Sequence, residues 1–263
     1  MQNTTSFVAG RRFDIVCLGR LAVDFYAQQI GARLEDVTSF AKYLGGSSAN
    51  TAFGCARLGL KAAMASRVGD DAMGNFLVET LAREGCDVSH VSRDPARLTA
   101  AVVLGIKDRD TFPLMFYREN CADMAVTDAD VAEDFIASSK ALLVTGTHFS
   151  TPHVHEVSTL ACERARRHGV RTVLDIDYRP VLWGLTRRGD GETRFIADAG
   201  VTAHLARILP LFDLVIGTLE EFNIAGGSGD IMASLRAVRA LTQAVLVVKR
   251  GPLGCAVIDG ALP

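Results

Sequence analysis

No stretch of the 263-residue sequence approaches the roughly 18–20 consecutive apolar residues that a membrane-spanning helix needs. Met1–Arg12 has no apolar core behind a basic start, so it reads as a short flexible leader rather than a secretion signal. Nor is there a surplus of one charge. The 28 Lys and Arg face 30 Asp and Glu, a formal net charge of −2, which gives no field to draw in nucleic acid or an acidic membrane. The densest basic stretches, Arg164–Arg167 and Arg187–Arg188, are short and read as solvated surface. The six cysteines (Cys17, Cys55, Cys86, Cys121, Cys162, Cys255) include no C-x-x-C pair, so reduced, mostly buried thiols in a cytoplasmic protein are expected. His153-x-His155 has no third ligand nearby and falls at a helix start, which favours surface histidines over a metal pair. There is no Walker A pattern and no G-x-G-x-x-G after a strand, which argues against P-loop and dinucleotide-binding folds. Internal repeats and low-complexity linkers are absent too.

What the sequence does hold is apolar. Hydrophobic residues make up 49% against 22% charged, enough for a sizeable core and too apolar for a disordered chain. The length fits one large domain, or a domain with a small appendage. Phe13–Leu18 is an apolar run closed by Gly19, which predicts a first buried strand. Ser47 and Ser48 precede a helical stretch, Ala49–Leu58, that stops at Gly59. Ala62–Val68 predicts a strand, and Asp70 and Asp71 cap a helix running through Glu84. Thr99–Ile106 and Thr111–Tyr117 flank the polar Lys107–Asp110 and predict a hairpin. Beyond it, strands at Ala141–Thr145, Val170–Asp175, Asp213–Ile216, Ala244–Val248 and Cys255–Ile258 alternate with helices at Pro152–His168, Ala197–Leu209 and around Leu235–Leu241. This alternation predicts an α/β fold: a doubly wound, mostly parallel sheet with helices on both faces. The hairpin and the polar segment 20–44 do not fit βαβ units. They predict a small β lid, its segments near 20–44 and 98–118 inserted in one domain spanning 13–263. Ligands of such sheets bind at the carboxyl ends of the strands.

Three groups of residues fall at such places. Gly45-Gly46-Ser47-Ser48-Ala49-Asn50 stands just before a helix. Its glycines admit a ligand close to the backbone, the helix start offers unpaired N–H groups, and Asn50 can donate to and accept from sugar hydroxyls. A glycine turn with a serine cap also needs no ligand. Asp24, soon after the first strand, can accept two hydroxyl hydrogen bonds from a polyol, or serve only as a loop residue. Arg179 follows the strand ending at Asp175, where it either meets an anion or pairs with Asp175 or Asp177.

Gly19…Asp24, Gly45-Gly46…Asn50-Thr51-Ala52 and Arg67-Val68-Gly69-Asp70-Asp71…Gly74, in this order and spacing, resemble the amino-terminal half of the ribokinase-like (phosphofructokinase-B) carbohydrate kinases. The resemblance runs from about residue 13 to the last residue. It implies that Asp24, Gly45, Gly46 and Asn50 hold a sugar beneath a β lid. Gln29–Val37, Phe40–Gly46 and above all Thr111–Asp123 are similar to the members of the family that phosphorylate the 6-hydroxyl of 5-dehydro-2-deoxygluconate in inositol breakdown. Lys42, Tyr117 and Arg118 suit such a substrate, since Arg can clamp a carboxylate through two hydrogen bonds. Arg118 as a surface residue after a lid strand is the plain alternative.

Asp175–Trp183 resembles the family's D-x-N-x-R…L-W segment, with Asp177 where Asn is common, and implies Arg179 beside the transferring phosphoryl group. Thr218-Leu219-Glu220-Glu221 resembles the N-x-x-E segment that organises Mg2+ and phosphates, with Thr218 where Asn is usual. Glu221 would also suit the helix dipole alone. Lys249-Arg250-Gly251-Pro252-Leu253-Gly254 resembles the K-x-G-x-x-G turn beside the ATP phosphates, which places Lys249, Gly251 and Gly254 with Thr218 and Glu221 on the nucleotide side. The implied cofactors are ATP and Mg2+, with a monovalent cation such as K+ left open. The implied partners are a sugar acid and ATP, without nucleic acid or membrane; a homodimer through the lid is left open.

The family's general base lies in a Gly-Ala-Gly-Asp stretch opening a helix. Gly227-Ser228-Gly229-Asp230 is similar in letters but precedes the Ala244–Val248 strand instead of following the Lys249–Gly254 turn. It reads as a loop whose Asp230 caps the next helix. The base is therefore expected beyond residue 263, and little turnover is expected without it. Two other readings stay open: a kinase of the same fold for 2-keto-3-deoxygluconate, fructose or a nucleoside, and a non-catalytic sugar-acid-binding protein.

Overall fold

A computed structural model describes residues 6–109, 111–187 and 193–262. Met1–Thr5 of the leader, Asp110 of the polar turn, Arg188 of the basic pair and the final Pro263 lie outside the described residues.

Eight strands form the main sheet, in the order β12(Cys255–Ile258), β11(Val245–Lys249), β10(Leu214–Thr218), β9(Arg171–Asp175), β8(Ser139–Thr145), β1(Phe13–Leu18), β4(Ala62–Gly69), β5(Asp87–Asp94). All pairings are parallel except that of β11 with β12. The chain winds outward from β1 through β4 to β5, then returns to the other side of β1 and continues from β8 to β12. The reversal of winding lies between β1 and β8, the place where open α/β sheets leave a crevice at the strands' carboxyl ends.

The inner strands read as apolar runs because both their faces are covered. Along β1, Val16 and Leu18 join one core with Leu142, Val144, Leu174 and Phe222. Cys17 faces the other way and packs with Leu143, Met64, Leu77 and Leu81, as the two-residue alternation of a strand requires. Seven α-helices are found among the described residues: α1(Ser47–Arg57), α2(Ala72–Arg83), α3(Glu133–Ala137), α4(Pro152–Arg167), α5(Ala199–Ile208), α6(Leu219–Gly226) and α7(Ile231–Leu241). None is long and apolar enough to cross a membrane.

A second, four-stranded sheet is built from the segments expected to form a lid, in the order β3(Phe40–Gly45), β2(Ala22–Ala27), β6(Ala100–Leu104), β7(Leu114–Tyr117). Only three residues, Gly19–Leu21, separate the end of β1 from β2, so the main sheet runs almost directly into the second sheet.

Several details differ from the sequence expectations. β5 was not foreseen: it is an edge strand of mostly polar, half-buried residues (DVSHVSRD), and lacks the apolar run of a central strand. Ser47 and Ser48 lie inside α1, whose N-cap is Gly46; the Ser48 hydroxyl instead donates to the Leu18 carbonyl at 2.9 Å. Cys255 is exposed and Cys55 half-buried, while the other four cysteines are buried. Asp230 does cap α7, its carboxylate accepting from the Met232 and Ala233 N–H groups.

Candidate active site

Two glycines set the backbone where β3 runs into α1. Gly45 ends β3 opposite Ala22, and a Cβ there would lie 2.1 Å from Oδ1 of Asp24, so only glycine lets that carboxylate occupy its place. Gly46 adopts φ +95° and presses against the Arg20 carbonyl, where a Cβ would come within 2.4 Å. An open cavity of about 630 Å³ on this side is lined by Asp24, Tyr26, Tyr43, Leu44, Asn50 and Ile106. Burial pushes the Asp24 carboxyl above its ordinary range, against the nearby charge of Arg20. Strand alternation puts Lys42 on the other face from Tyr43, and its ammonium rests 4.1 Å over the ring of Phe76 on α2. Lys42 is therefore drawn into a cation–π contact outside this cavity.

Arg118 sits just past β7 and is 4% exposed, not a surface residue. Its Nε donates to Oδ2 of Asp123 at 2.8 Å, with Nη2 at 2.7 Å from the same oxygen. Nη1 of Arg118 and Oδ1 of Asp123 have no partner among the described residues. Tyr117, next to it, is 56% exposed.

Arg179 follows β9. Its Nη1 donates to the Tyr178 carbonyl at 2.7 Å, and Nη2 lies 3.1 Å from Oδ1 of Asp177. Asp177 itself holds φ +34°, a conformation that costs most side chains strain and that Asn and Asp tolerate best. Burial works to raise the Asp177 carboxyl; the guanidiniums of Arg179, Arg20 and Arg118 and a hydrogen bond from Ser47 outweigh it and hold it low. One carboxylate thus feels Arg118 from beyond the second sheet and Arg179 from the main sheet. Only Arg179 forms an ion pair with it; Arg118 is paired with Asp123.

On the far side, Lys249 at the end of β11 reaches both oxygens of Asp175 at 3.1 Å and lies 3.9 Å from Oε2 of Glu221. Glu221 is 3% exposed and belongs to a capping box: its Oε2 accepts the Thr218 N–H at 2.8 Å, while the Thr218 hydroxyl accepts the Glu221 N–H at 3.2 Å. Its Oε1 accepts from the Tyr178 N–H at 3.3 Å, which ties the turn after β10 to the one after β9. Burial pushes both Glu221 and Asp175 above the usual carboxylate range. Gly251 and Gly254 take φ +57° and +80° in the exposed turn after β11.

Sequence reasoning missed Arg20 and His148. Arg20 is 8% exposed, and its Nε and Nη1 find no partner. Burial drives its pKa down to about 10. His148, past the end of β8, is 1% exposed, and burial with the nearby Arg118 lowers it to about 3, so it stays neutral. The one available signal was position, since both directly follow strands that flank the reversal of winding.

Residues 12–261 match the family model described as pfkB family carbohydrate kinase. The chain is 37% identical over 223 residues to a 5-dehydro-2-deoxygluconokinase of Geobacillus thermodenitrificans, covering 84% of this chain and 63% of that protein. It is 33% identical over 229 residues to the enzyme of the same name from Clostridium tetani, covering 86% and 63%. It thus spans just under two thirds of the length of these curated relatives. Among solved structures, a fructokinase of Halothermothrix orenii matches with a TM-score of 0.79 and 27% identity, over 94% of this chain and 83% of that one. A PfkB protein from Polaromonas sp. JS666 matches with a TM-score of 0.78 and 26% identity, over 95% and 83%.

Proposed function

The chain belongs to the pfkB family of carbohydrate kinases, and from that premise we propose that it serves transfer of the γ-phosphoryl group of ATP to the 6-hydroxyl of a keto-sugar acid, 5-dehydro-2-deoxygluconate. The observation that carries this reading is that two arginines, Arg179 paired with Asp177 and the buried Arg118 paired with Asp123, both act on the charge of Asp177 beyond the end of β9. A neutral sugar has no use for two guanidiniums; an acid with a phosphoryl group arriving beside it has use for both.

Asp24 and Asn50 accept and donate to the sugar hydroxyls at the lid cavity. Gly45 and Gly46 keep the backbone clear for the substrate. Arg118, held in place by Asp123, meets the carboxylate. Arg179 has an exposed edge and neutralises charge on the migrating phosphoryl group. Thr218, Glu221, Lys249 and the Gly251–Gly254 turn face the nucleotide. In this reading the named residues bind, orient and neutralise.

Magnesium fits this arrangement in a limited way. No three His, Cys, Asp or Glu gather into a metal cage among the described residues. Mg2+ in phosphoryl transfer usually keeps several waters and needs only one or two carboxylates besides the phosphates. Glu221 and Asp175 supply two, but Lys249 already stands between them, so they suit metal-bound waters better than direct coordination. The ion, when bound, would screen the phosphate charge.

One observation favours a neutral sugar: the charge of Arg118 is already met by Asp123. An ADP-release assay on the reading frame that carries this chain separates the two. It should show kcat/KM for 5-dehydro-2-deoxygluconate at least ~10-fold above those for fructose, ribose and nucleosides, the discrimination expected of one charge-assisted hydrogen bond. Preference for any of the neutral substrates overturns the sugar-acid assignment.

A further inference from the structure

Buried polar atoms without partners gather at one place, beneath the lid where winding reverses between β1 and β8. They are Nε and Nη1 of Arg20, Nη1 of Arg118, Oδ1 of Asp123, Nδ1 of His148 and Oδ2 of Asp177. His148 links them: its Nε2 lies 3.0 Å from the Asp123 carbonyl, and its ring feels the charges of Arg118, Arg20 and Asp177. Since the ring is neutral and Nε2 faces a carbonyl oxygen, the tautomer assigned from this network carries its proton on Nε2 and leaves Nδ1 as an acceptor.

Three guanidiniums stand around this chamber, and two are accounted for. Arg118 has Asp123, and Arg179 has Asp177. Arg20 makes no ion pair with any described residue; its guanidinium carbon lies 5.6 Å over the ring of Phe116, on lid strand β7. Asp177 and, more weakly, Asp24 act on it electrostatically without forming an ion pair; Asp177 is already paired with Arg179 and Asp24 is packed against Gly45. A buried guanidinium without a carboxylate is costly in a ligand-free protein, and proteins rarely retain one unless something else meets its charge. Arg20 is also fixed in place. Its carbonyl accepts the Ala49 N–H at 3.2 Å and abuts Gly46, so the backbone that carries it is locked to the glycine turn of the sugar site.

We propose that Arg20 is the guanidinium that takes the substrate carboxylate, with Arg118 as the second donor to the same anion, and that Arg20 sets the preference for acidic over neutral sugars. This rests on the sugar-acid reading and reassigns its specificity. Arg118, tied to Asp123, becomes a fixed wall of the anion site, while the uncommitted fork of Arg20 supplies the two parallel hydrogen bonds that a carboxylate accepts. Because Arg20 lies between β1 and β2, an anion bound there joins the main sheet to the lid through the stack on Phe116.

The test is calorimetric titration, without nucleotide, of 5-dehydro-D-gluconate and of D-fructose into the parent protein and into R20M and R20K, with thermal unfolding of each. R20M should lose about 100-fold in affinity for the acid while its affinity for fructose changes less than ~3-fold. It should also unfold at a temperature roughly 2–4 °C above the parent, because an unpaired buried charge has been replaced by an apolar chain. R20K keeps the charge and loses the fork, so its acid affinity should fall ~10-fold. A parent that prefers the acid, with variants that keep that preference, overturns the role of Arg20 and leaves the sugar-acid reading standing. A parent that does not prefer the acid removes both. An R20M protein that unfolds at a lower temperature, with its acid preference intact, makes Arg20 a structural residue. If R20M does not fold, an R20K protein with undiminished acid affinity overturns the proposal by itself.

Discussion

Single residues of this crevice carry consequences that can be weighed against one another. Gly45 admits no side chain: its Cβ would fall 2.1 Å from Oδ1 and 2.2 Å from Cγ of Asp24. In G45A the strand or the carboxylate must move, so affinity for sugar ligands should fall at least ~10-fold at a stability cost of about 1–3 kcal/mol, read by calorimetry and thermal unfolding. Unchanged sugar affinity would remove Asp24 from the site. His148 gives a pH dependence whose sign is fixed. Its folded pKa, about 3, lies below the ordinary value of 6.5. The unfolded chain therefore takes up a proton first as pH falls. The contribution of a neutral His148 is complete above about pH 6.5 and is lost progressively toward pH 3. Between pH 6.5 and 5 the loss should be about 2 kcal/mol, and a H148Q protein should lose correspondingly less in urea titrations at the two pH values. Equal losses in both would mean that the chamber opens and hydrates the ring. What the sequence made legible at this scale was the residues with motif partners: Gly45, Gly46, Asp24 and Arg179. Arg20 has no such partner in the letters, and an arginine after a glycine gives no sign of burial. Only its unpaired nitrogens reveal it.

At the scale of elements, legibility followed burial. β1, β4 and β8–β11 announced themselves because strands covered on both faces are written as apolar runs. β5 was hidden as a polar edge, while β2 and β3 were legible only as one undivided β segment, 20–44, because their one-sided strands lie in a polar stretch. Turns were partly legible. Thr218 stands where the resemblance has Asn on the nucleotide side; its hydroxyl caps α6 and its N–H engages Glu221. Removing that cap should therefore act through Glu221. T218A should destabilise by about 1 kcal/mol and loosen Glu221 relative to Lys249, raising KM for ATP more than KM for the sugar. T218N, which restores a good cap, should return both to near the parent values. A T218A protein with lower stability but an unaltered KM for ATP would confine the capping box to a structural role.

For the molecule as a whole, the two cores are unevenly closed. On one face of the main sheet an apolar groove of about 650 Å³ remains open, lined by Ile15, Leu60, Leu143, Val173, Ile216 and Val245 among others. These residues lie on β1, β8, β9, β10, β11 and the turn before β4, so the groove crosses the middle of the sheet and is no local dent at its edge. Such a surface is large enough to attract apolar molecules from water. The folded chain of residues 1–263 should therefore enhance the fluorescence of anilinonaphthalene sulfonate while retaining a cooperative thermal transition, a combination that a loosened, partly unfolded state would not give. Val245 is partly exposed at the groove, and a lysine there can lay its stem along the apolar floor and keep its ammonium in water. V245K should cut the dye signal at least ~2-fold and leave the unfolding temperature within roughly 3 °C of the parent. A dye signal that V245K does not reduce would place the exposed apolar surface elsewhere on the molecule.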